Sequence, residues 1–323
     1  MIRRRFSYLK ALIAFAILLN FSLTPSHAAY NGECWVVSGG DTVRKVYSDG
    51  SVDPAGIPGL TQAQSAEVNP KNGVVWISVS AANAAFRFDP STTDENAVFK
   101  TISNIPGARS ISINPGDGTV WIGGKSIVKK VSADGSQVLA EITGIHEPEV
   151  SVNPTDGSCW VTDSRGTATR YDANGAAVAQ GPKLKEPKFV AVNPKTGNAW
   201  VADTQASVLV KLSPAGQELL RITDISKPTS PEVNAKDGSL WLVSNASMLV
   251  KLSPSGQKTM EVPAGMAILA IAVDGTDGGV WVADQIGSTF QGEVSKFSAS
   301  GEKQFGVPIL MPSHVSAGNW AGQ

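Results

Sequence analysis

VNPTDGSCWVTDSRGTATRYDANG, residues 152 to 175, is the stretch that decides how this chain reads. An Asn-Pro turn leads to Gly157, and Trp160 follows three residues later. Ten residues on stands a cation, Arg170, and a second turn closes at Gly175. The same phrase returns as VNPKTGNAWVADTQASVLVKLSPAG from 192 to 216. It returns again as VNAKDGSLWLVSNASMLVKLSPSG from 233 to 256, with Ala235 in the proline slot.

Seven tryptophans mark the repeat, at 35, 76, 121, 160, 200, 241 and 281, with gaps of 41, 45, 39, 40, 41 and 40. A period near 40 made of short β-like segments is the signature of a β-propeller blade. Each unit reads as four strands. The first runs up to the Asn, as in Glu149 to Asn153, and the second carries the Trp, as in Cys159 to Thr162. The third carries the cation, as in Ala168 to Tyr171, and the fourth is weaker, as in Val138 to Ile142. These segments are rich in β-branched residues and bounded by Gly, Pro, Asn and Asp, as strands joined by tight turns require. None sustains a helical apolar period.

The chain ends set the blade count. From the third-strand cation to the next unit's Asn or Asp is 23 residues in four internal cases, from Lys130, Arg170, Lys211 and Lys251. The same count from Lys296 reaches Asn319, so Val315 to Asn319 reads as a first strand without a blade. Gly32-Glu33-Cys34-Trp35 reads as a second strand without its first. The two halves complement each other. The expected fold is all-β: a seven-bladed propeller over 29–323, with blade 1 (Trp35) closed by the C-terminal strand and blade 7 holding Trp281. Closure of this kind leaves no open ring edge for aggregation. Trp320 falls in the proline slot and marks no eighth blade.

The pattern Val-Asn-Pro-x-x-Gly-x-x-Trp-Val-x-Asp followed by Val-Lys-Leu-Ser-Pro-x-Gly resembles the NHL-repeat and YVTN-type propellers, over essentially all of residues 30 to 323. The resemblance implies architecture. Propellers of this kind include peptide-amidating lyases, streptogramin lyases, lactonase-like hydrolases and non-catalytic binding platforms, and fold alone does not choose among them.

Residues 1–28 read as a signal peptide: Arg3, Arg4, Arg5 and Lys10, a mostly apolar run from Ala11 to Leu23, then Pro25-Ser26-His27-Ala28. The expected location is a periplasm or the exterior, by general secretion; Arg3-Arg4-Arg5-Phe6 also loosely resembles a twin-arginine signal. The leader holds four of the 27 basic residues and no acidic one, so 23 basic face 28 acidic in the remainder, a net charge of −5. That balance speaks against a nucleic-acid partner. No other apolar run is long enough for a membrane span. Cys34 and Cys159 each precede a repeat Trp, where other units have Val, Ala or Leu. They read as small core residues, too far apart around a ring for a disulfide.

The repeated residues have structural readings. The Trp rings form the core between blades. The cations Lys45, Arg87, Lys130, Arg170, Lys211, Lys251 and Lys296 lie in the outer half of each blade, their stems covering apolar surface and their charges in water. Asp163, Asp203 and Asp284, three residues after Trp, accept backbone N–H bonds rather than ligating metal. The glycines at 32, 73, 118, 157, 197, 238 and 278 supply positive φ in the first hairpin turn.

Function is expected where the second-to-third-strand loops and blade-to-blade loops share a face around the channel mouth. The blade-to-blade loops carry Arg109, His146, Glu147, Glu149, Glu186, Lys188 and His314, the candidate binding residues. Two residues before the Asn on the first strands stand Glu67, Ser112, Ser151, Ala191, Glu232, Ala272 and Ala317; four before it stand Ser65, Ser110, Glu149, Phe189, Ser230, Ala270 and Val315. If these slots face the bore, Glu67, Glu149 and Glu232 project into it as candidate ligands for a divalent cation such as calcium. Arg109 and Lys188 could instead pair with Glu149. His146 and His314 are the candidate catalytic residues, as base or metal ligand. The favoured reading is a non-catalytic platform for a protein, peptide or glycan, because the repeat accounts for most positions. The alternative is a metal-dependent lyase or hydrolase with its site at the channel mouth.

Overall fold

The computed structural model describes residues 32–92, 99–287 and 290–318. The proposed leader, Asn319, Trp320 and most of the insertion after Thr92 lie outside them. Among the described residues there is no helix, and so none long and apolar enough to cross a membrane.

The chain forms a ring of seven antiparallel sheets. Six have four strands in chain order from the channel outwards. The seventh, blade 1, pairs Cys34–Ser38 with Thr42–Val46 on one side and with the C-terminal strand Pro312–Ala317 on the other. Its fourth position is reduced to isolated bridges, Val43 to Ile57 and Val46 to Val52. The ring therefore closes as the two half-units require.

The closing register differs from the spacing by one residue. In blades 2 to 7 the Trp lies opposite the residue two before the Asn or Asp, as Trp76 faces Glu67 and Trp281 faces Ala272. In blade 1 Trp35 faces Ser316. Gly318 thus takes the slot that the 23-residue count assigns to Asn319, and its carbonyl accepts the N–H of Gly275. A slip of one residue turns every side chain of a strand to its other face. His314 and Ser316, not Val315 and Ala317, occupy the channel slots of blade 1, and Val315 is buried with Cys34, Trp281 and Ile309.

Each Trp stands directly across the ladder from the cation of its blade, from Trp35 with Lys45 to Trp281 with Lys296. Six of the rings are fully buried and Trp35 nearly so. The ammonium groups of Lys45, Lys130, Lys211, Lys251 and Lys296 lie 4.8–5.7 Å from the ring centroids, in cation–π range. The charges are not simply left in water. Lys130, Lys211 and Lys251 donate to Ala173, Pro254 and Ala299, carbonyls in the outer turn of the next blade, at 2.8, 2.7 and 3.0 Å. Arg87 and Arg170 do the same to Ala133 and Pro214. On the two blades that meet at the closure, Lys45 pairs with Glu33 and Lys296 with the buried Asp274. In blades 2 to 6 the third-strand cation is thus a staple to the next blade, and in blades 1 and 7 it pairs within its own blade.

The first hairpin turn adds a second ring of contacts. Its Asn or Asp accepts the N–H two residues on, from Lys71 on Asn69 to Thr276 on Asp274. The glycine that ends the turn is in the left-handed region, at φ of 70° for Gly157 and 74° for Gly238. A Cβ at Gly238 would come within 2.8 Å of the amide of Asn193 on the preceding blade, so space as well as φ requires glycine there.

Candidate functional site

The seven inner strands are Pro312–Ala317, Ala63–Val68, Ser110–Ile113, Val150–Val152, Pro187–Val192, Thr229–Val233 and Ile268–Val273, for blades 1 to 7. Each presents an unpaired edge to the channel, and its N–H groups need acceptors. In blades 2 to 5 side chains of the preceding blade supply them. Ser110 and Ser112 accept from Val150 and Val152 at 3.0 Å each, and Ser151 accepts from Val192 at 3.0 Å. Ser316 accepts from Val68 at 3.3 Å, Glu67 from Ile113 at 3.1 Å, and His314 Nδ1 from Ala66 at 3.4 Å. The channel slots therefore reach sideways to the next blade as well as lining the bore. Repeat counting missed this, because the bonds run between repeats.

The channel is a cavity of about 210 Å³ walled by all seven inner strands, among them Glu67, Glu149, Glu232 and His314. A second cavity of about 190 Å³ forms its mouth, with Arg109, Glu149, His314, Leu269 and Ile271 among its lining residues. The three carboxyls expected in the bore are there. Burial pushes Glu67 up to about 8, helped by the field of Glu149 and opposed by the Ile113 hydrogen bond. Burial pushes Glu149 up to about 7 against the pull of Arg109 and a hydrogen bond from Ser110. Burial, with Glu67 and Glu149 adding repulsion, pushes Glu232 up to about 8. Each keeps some accessible surface on the bore, but protein closes around it on every other side. Among the described residues, no three His, Cys, Asp or Glu side chains are placed to hold one metal ion.

The other candidates divide between bore and rim. His314 belongs to the channel wall rather than to a loop, and burial pushes its imidazole down to about 4. As acceptor through Nδ1 it is the neutral Nε2–H tautomer. His146 lies exposed on the rim, 2.7 Å from the hydroxyl of Ser164 in the second-to-third-strand loop. That contact confirms that the two loop sets share a face. Arg109 pairs with Glu147 at 3.6 Å and holds Glu149 only in its field. Lys188 pairs with Glu186 at 3.0 Å, not with Glu149.

The post-Trp aspartates build this face. Asp203 accepts the N–H groups of Lys185 and Glu186, Asp284 those of Met266 and Ala267, and Asp163 that of Arg165. They tie each blade-to-blade loop, or their own turn, in place.

One feature of the mouth was not legible in the repeat. Met266, Leu269, Ile286, Phe290 and Leu310 are all exposed, Met266 at 71% and Phe290 at 70%. They come from the loops at either end of blade 7, its second-to-third-strand loop and the start of its inner strand. Backbone bonds hold them together: Gln285 N–H to Ala267, and Met311 N–H to Phe290. Leu269 lines the mouth itself. The face is thus polarised, with ion pairs over blades 3 to 5 and an apolar patch over blade 7.

No family model matches the chain, and no curated protein matches it. Solved structures do. The chain is similar to a functionally unknown protein from Desulfotomaculum acetoxidans, with a TM-score of 0.74 at 13% identity over 88% of this chain and 98% of that one. It is also similar to virginiamycin B lyase from Staphylococcus aureus, with a TM-score of 0.63 at 16% identity over 77% of this chain and 87% of that one. A chain of the mitotic checkpoint complex matches at a TM-score of 0.65 and 10% identity, over 78% of this chain and 80% of that one. At these identities the likeness is one of fold.

Proposed function

We propose that this chain is an exported, non-catalytic propeller of the NHL type that holds a polypeptide partner against the mouth of its channel. The observation that carries the reading is the apolar patch of Met266, Leu269, Ile286, Phe290 and Leu310 beside that mouth. Isolated exposed apolar residues are ordinary, but a group on one face rimmed by charge marks a binding surface. Aromatic and methionine side chains suit the dry centre of a protein interface, and the Arg109–Glu147 and Lys188–Glu186 pairs suit its wet rim. The leader-like sequence at 1–28 supports the export part of this reading, and the repeated Asn-Pro and Trp spacing supports the NHL type.

The alternative, a metal-dependent lyase or hydrolase, draws no support from this geometry. The Nδ1 of His314 serves a backbone N–H, and His146 is bonded to Ser164 on the rim.

Selection of displayed random peptides on the purified protein tests the proposal. Peptides with large apolar residues are expected to enrich, and Leu269→Asp or Phe290→Asp to abolish the enrichment. Enrichment that both variants leave intact, or binding confined to a glycan array, overturns it.

A further inference from the structure

We propose that the channel behind the mouth receives one guanidinium group, carried by the polypeptide partner. The inference rests on the proposed mouth-binding role and adds the chemistry of the bore.

The bore is furnished for a cation that this chain does not itself supply. Glu67, Glu149 and Glu232 lie on its wall, from blades 2, 4 and 6. Glu67 and Glu232 have no cationic partner among the described residues, and Glu232 has no hydrogen bond either. Arg109, whose field reaches Glu149, is bound to Glu147 at the mouth. A separate observation points the same way. Ser65 shares the channel-facing side of its strand with Glu67, lines both cavities, is 4% exposed, and its hydroxyl has no partner. The matching hydroxyl of blade 3, Ser110, accepts from Val150 and bonds Glu149. Buried hydroxyls are rarely left without a partner, so Ser65 marks a place for a ligand donor.

The arrangement selects the kind of cation. A bare divalent ion needs oxygens converging within about 2.6 Å of one point, and the carboxyls do not converge on one. An ammonium is a compact point charge with the same difficulty. A guanidinium spreads five N–H donors over a rigid planar fork and reaches separated acceptors at once. Volume permits it: a water needs about 10–15 Å³ of such space, and the channel holds about 210 Å³. The elevated affinity of the three carboxyls for protons is what a site missing its counter-charge shows.

Calorimetric titration with butylguanidinium, and with butylurea as its neutral isostere, tests this. One butylguanidinium is expected to bind per chain at pH 7.5, with protons released to buffer, and butylurea to bind at least tenfold more weakly. Glu67→Gln and Glu232→Gln are each expected to weaken butylguanidinium at least tenfold without lowering the melting temperature. Phe290 lines neither cavity, so Phe290→Asp is expected to leave this small probe bound while abolishing peptide capture. Equal affinity for the two probes, or binding untouched in the Glu67→Gln/Glu232→Gln double variant, overturns the proposal. Enriched peptides with no arginine dependence overturn it while sparing the mouth. A bound small probe with no enriched peptide supports the bore and sinks the mouth reading.

Discussion

Trp35, near the start of the propeller, lies directly across the ladder from Ser316, near its end. This pairing closes the ring and sets which residues of the last strand face the channel. Val315, next to Ser316, consequently packs into the core at 2% exposure, whereas Ser313 is exposed. Val315→Asp buries an unpaired charge and is expected to cost ~3 kcal/mol or more. Ser313→Asp is expected to stay within ~0.5 kcal/mol of wild type. Urea denaturation of both variants checks the register. Equal costs would mean that Val315 faces the bore.

Lys296 and Asp274 form a buried ion pair, at 4% and 2% exposure, beside the closure. Burial alone would raise the Asp274 carboxyl, but the ammonium of Lys296 and the bonds from Thr276 hold it below the usual range. Removing one partner leaves the other charge stranded. Lys296→Met is expected to destabilise the protein by ~3–5 kcal/mol. Adding Asp274→Asn to it should recover a large part, read again by urea denaturation.

The channel predicts an unusual pH dependence. Glu67, Glu149 and Glu232 titrate in the folded protein at about 8, 7 and 8, above their ordinary 4.5. The folded state then binds more protons than the unfolded one. That contribution is fully present below about 4.5 and is lost as pH rises through 7 to 8. His314 has the opposite sign: its contribution is present above 6.5 and lost as pH falls towards 4. Among the described residues that line this end of the bore, the one other charged side chain is Arg109. Melting temperature is therefore expected to fall between pH 6.5 and 8.5. The triple variant Glu67→Gln/Glu149→Gln/Glu232→Gln should flatten that fall.

Both cysteines are free and fully buried, and burial pushes both thiols far above their ordinary range. A thiolate is the reactive form. The native protein is expected to leave a thiol-disulfide reagent unreacted, and the guanidinium-unfolded chain to consume two equivalents. Fast labelling of the native state would contradict the core positions of Cys34 and Cys159.

Strand positions were legible almost to the residue. The expected second strand at Cys159 to Thr162 is observed as Cys159–Asp163, and the fourth at Val138 to Ile142 as Val138–Thr143. A repeat tested seven times leaves little freedom, since each blade must bury its Trp between neighbours. The roles of the cations and of the channel serines were not legible, because Lys130 meets Ala173 and Ser110 meets Val150 across a blade boundary. Spacing within one unit carries no record of such contacts. The sequence leaves the partners of Arg109 and Lys188 open between Glu149 and other groups for a related reason: a flexible side chain takes the carboxylate that loop conformation brings to it, here Glu147 and Glu186.

The sequence alone determined the number of blades, the strands within them and the joining of the two ends, since these follow from a period that only one closed arrangement satisfies. Tertiary structure alone decided the register of the closing strand, the bonds that Ser110, Ser112 and Ser151 make across blade boundaries, and the gathering of Met266, Leu269, Ile286, Phe290 and Leu310 beside the mouth. Those are distances between residues remote in the chain, and they exist only once the ring has closed.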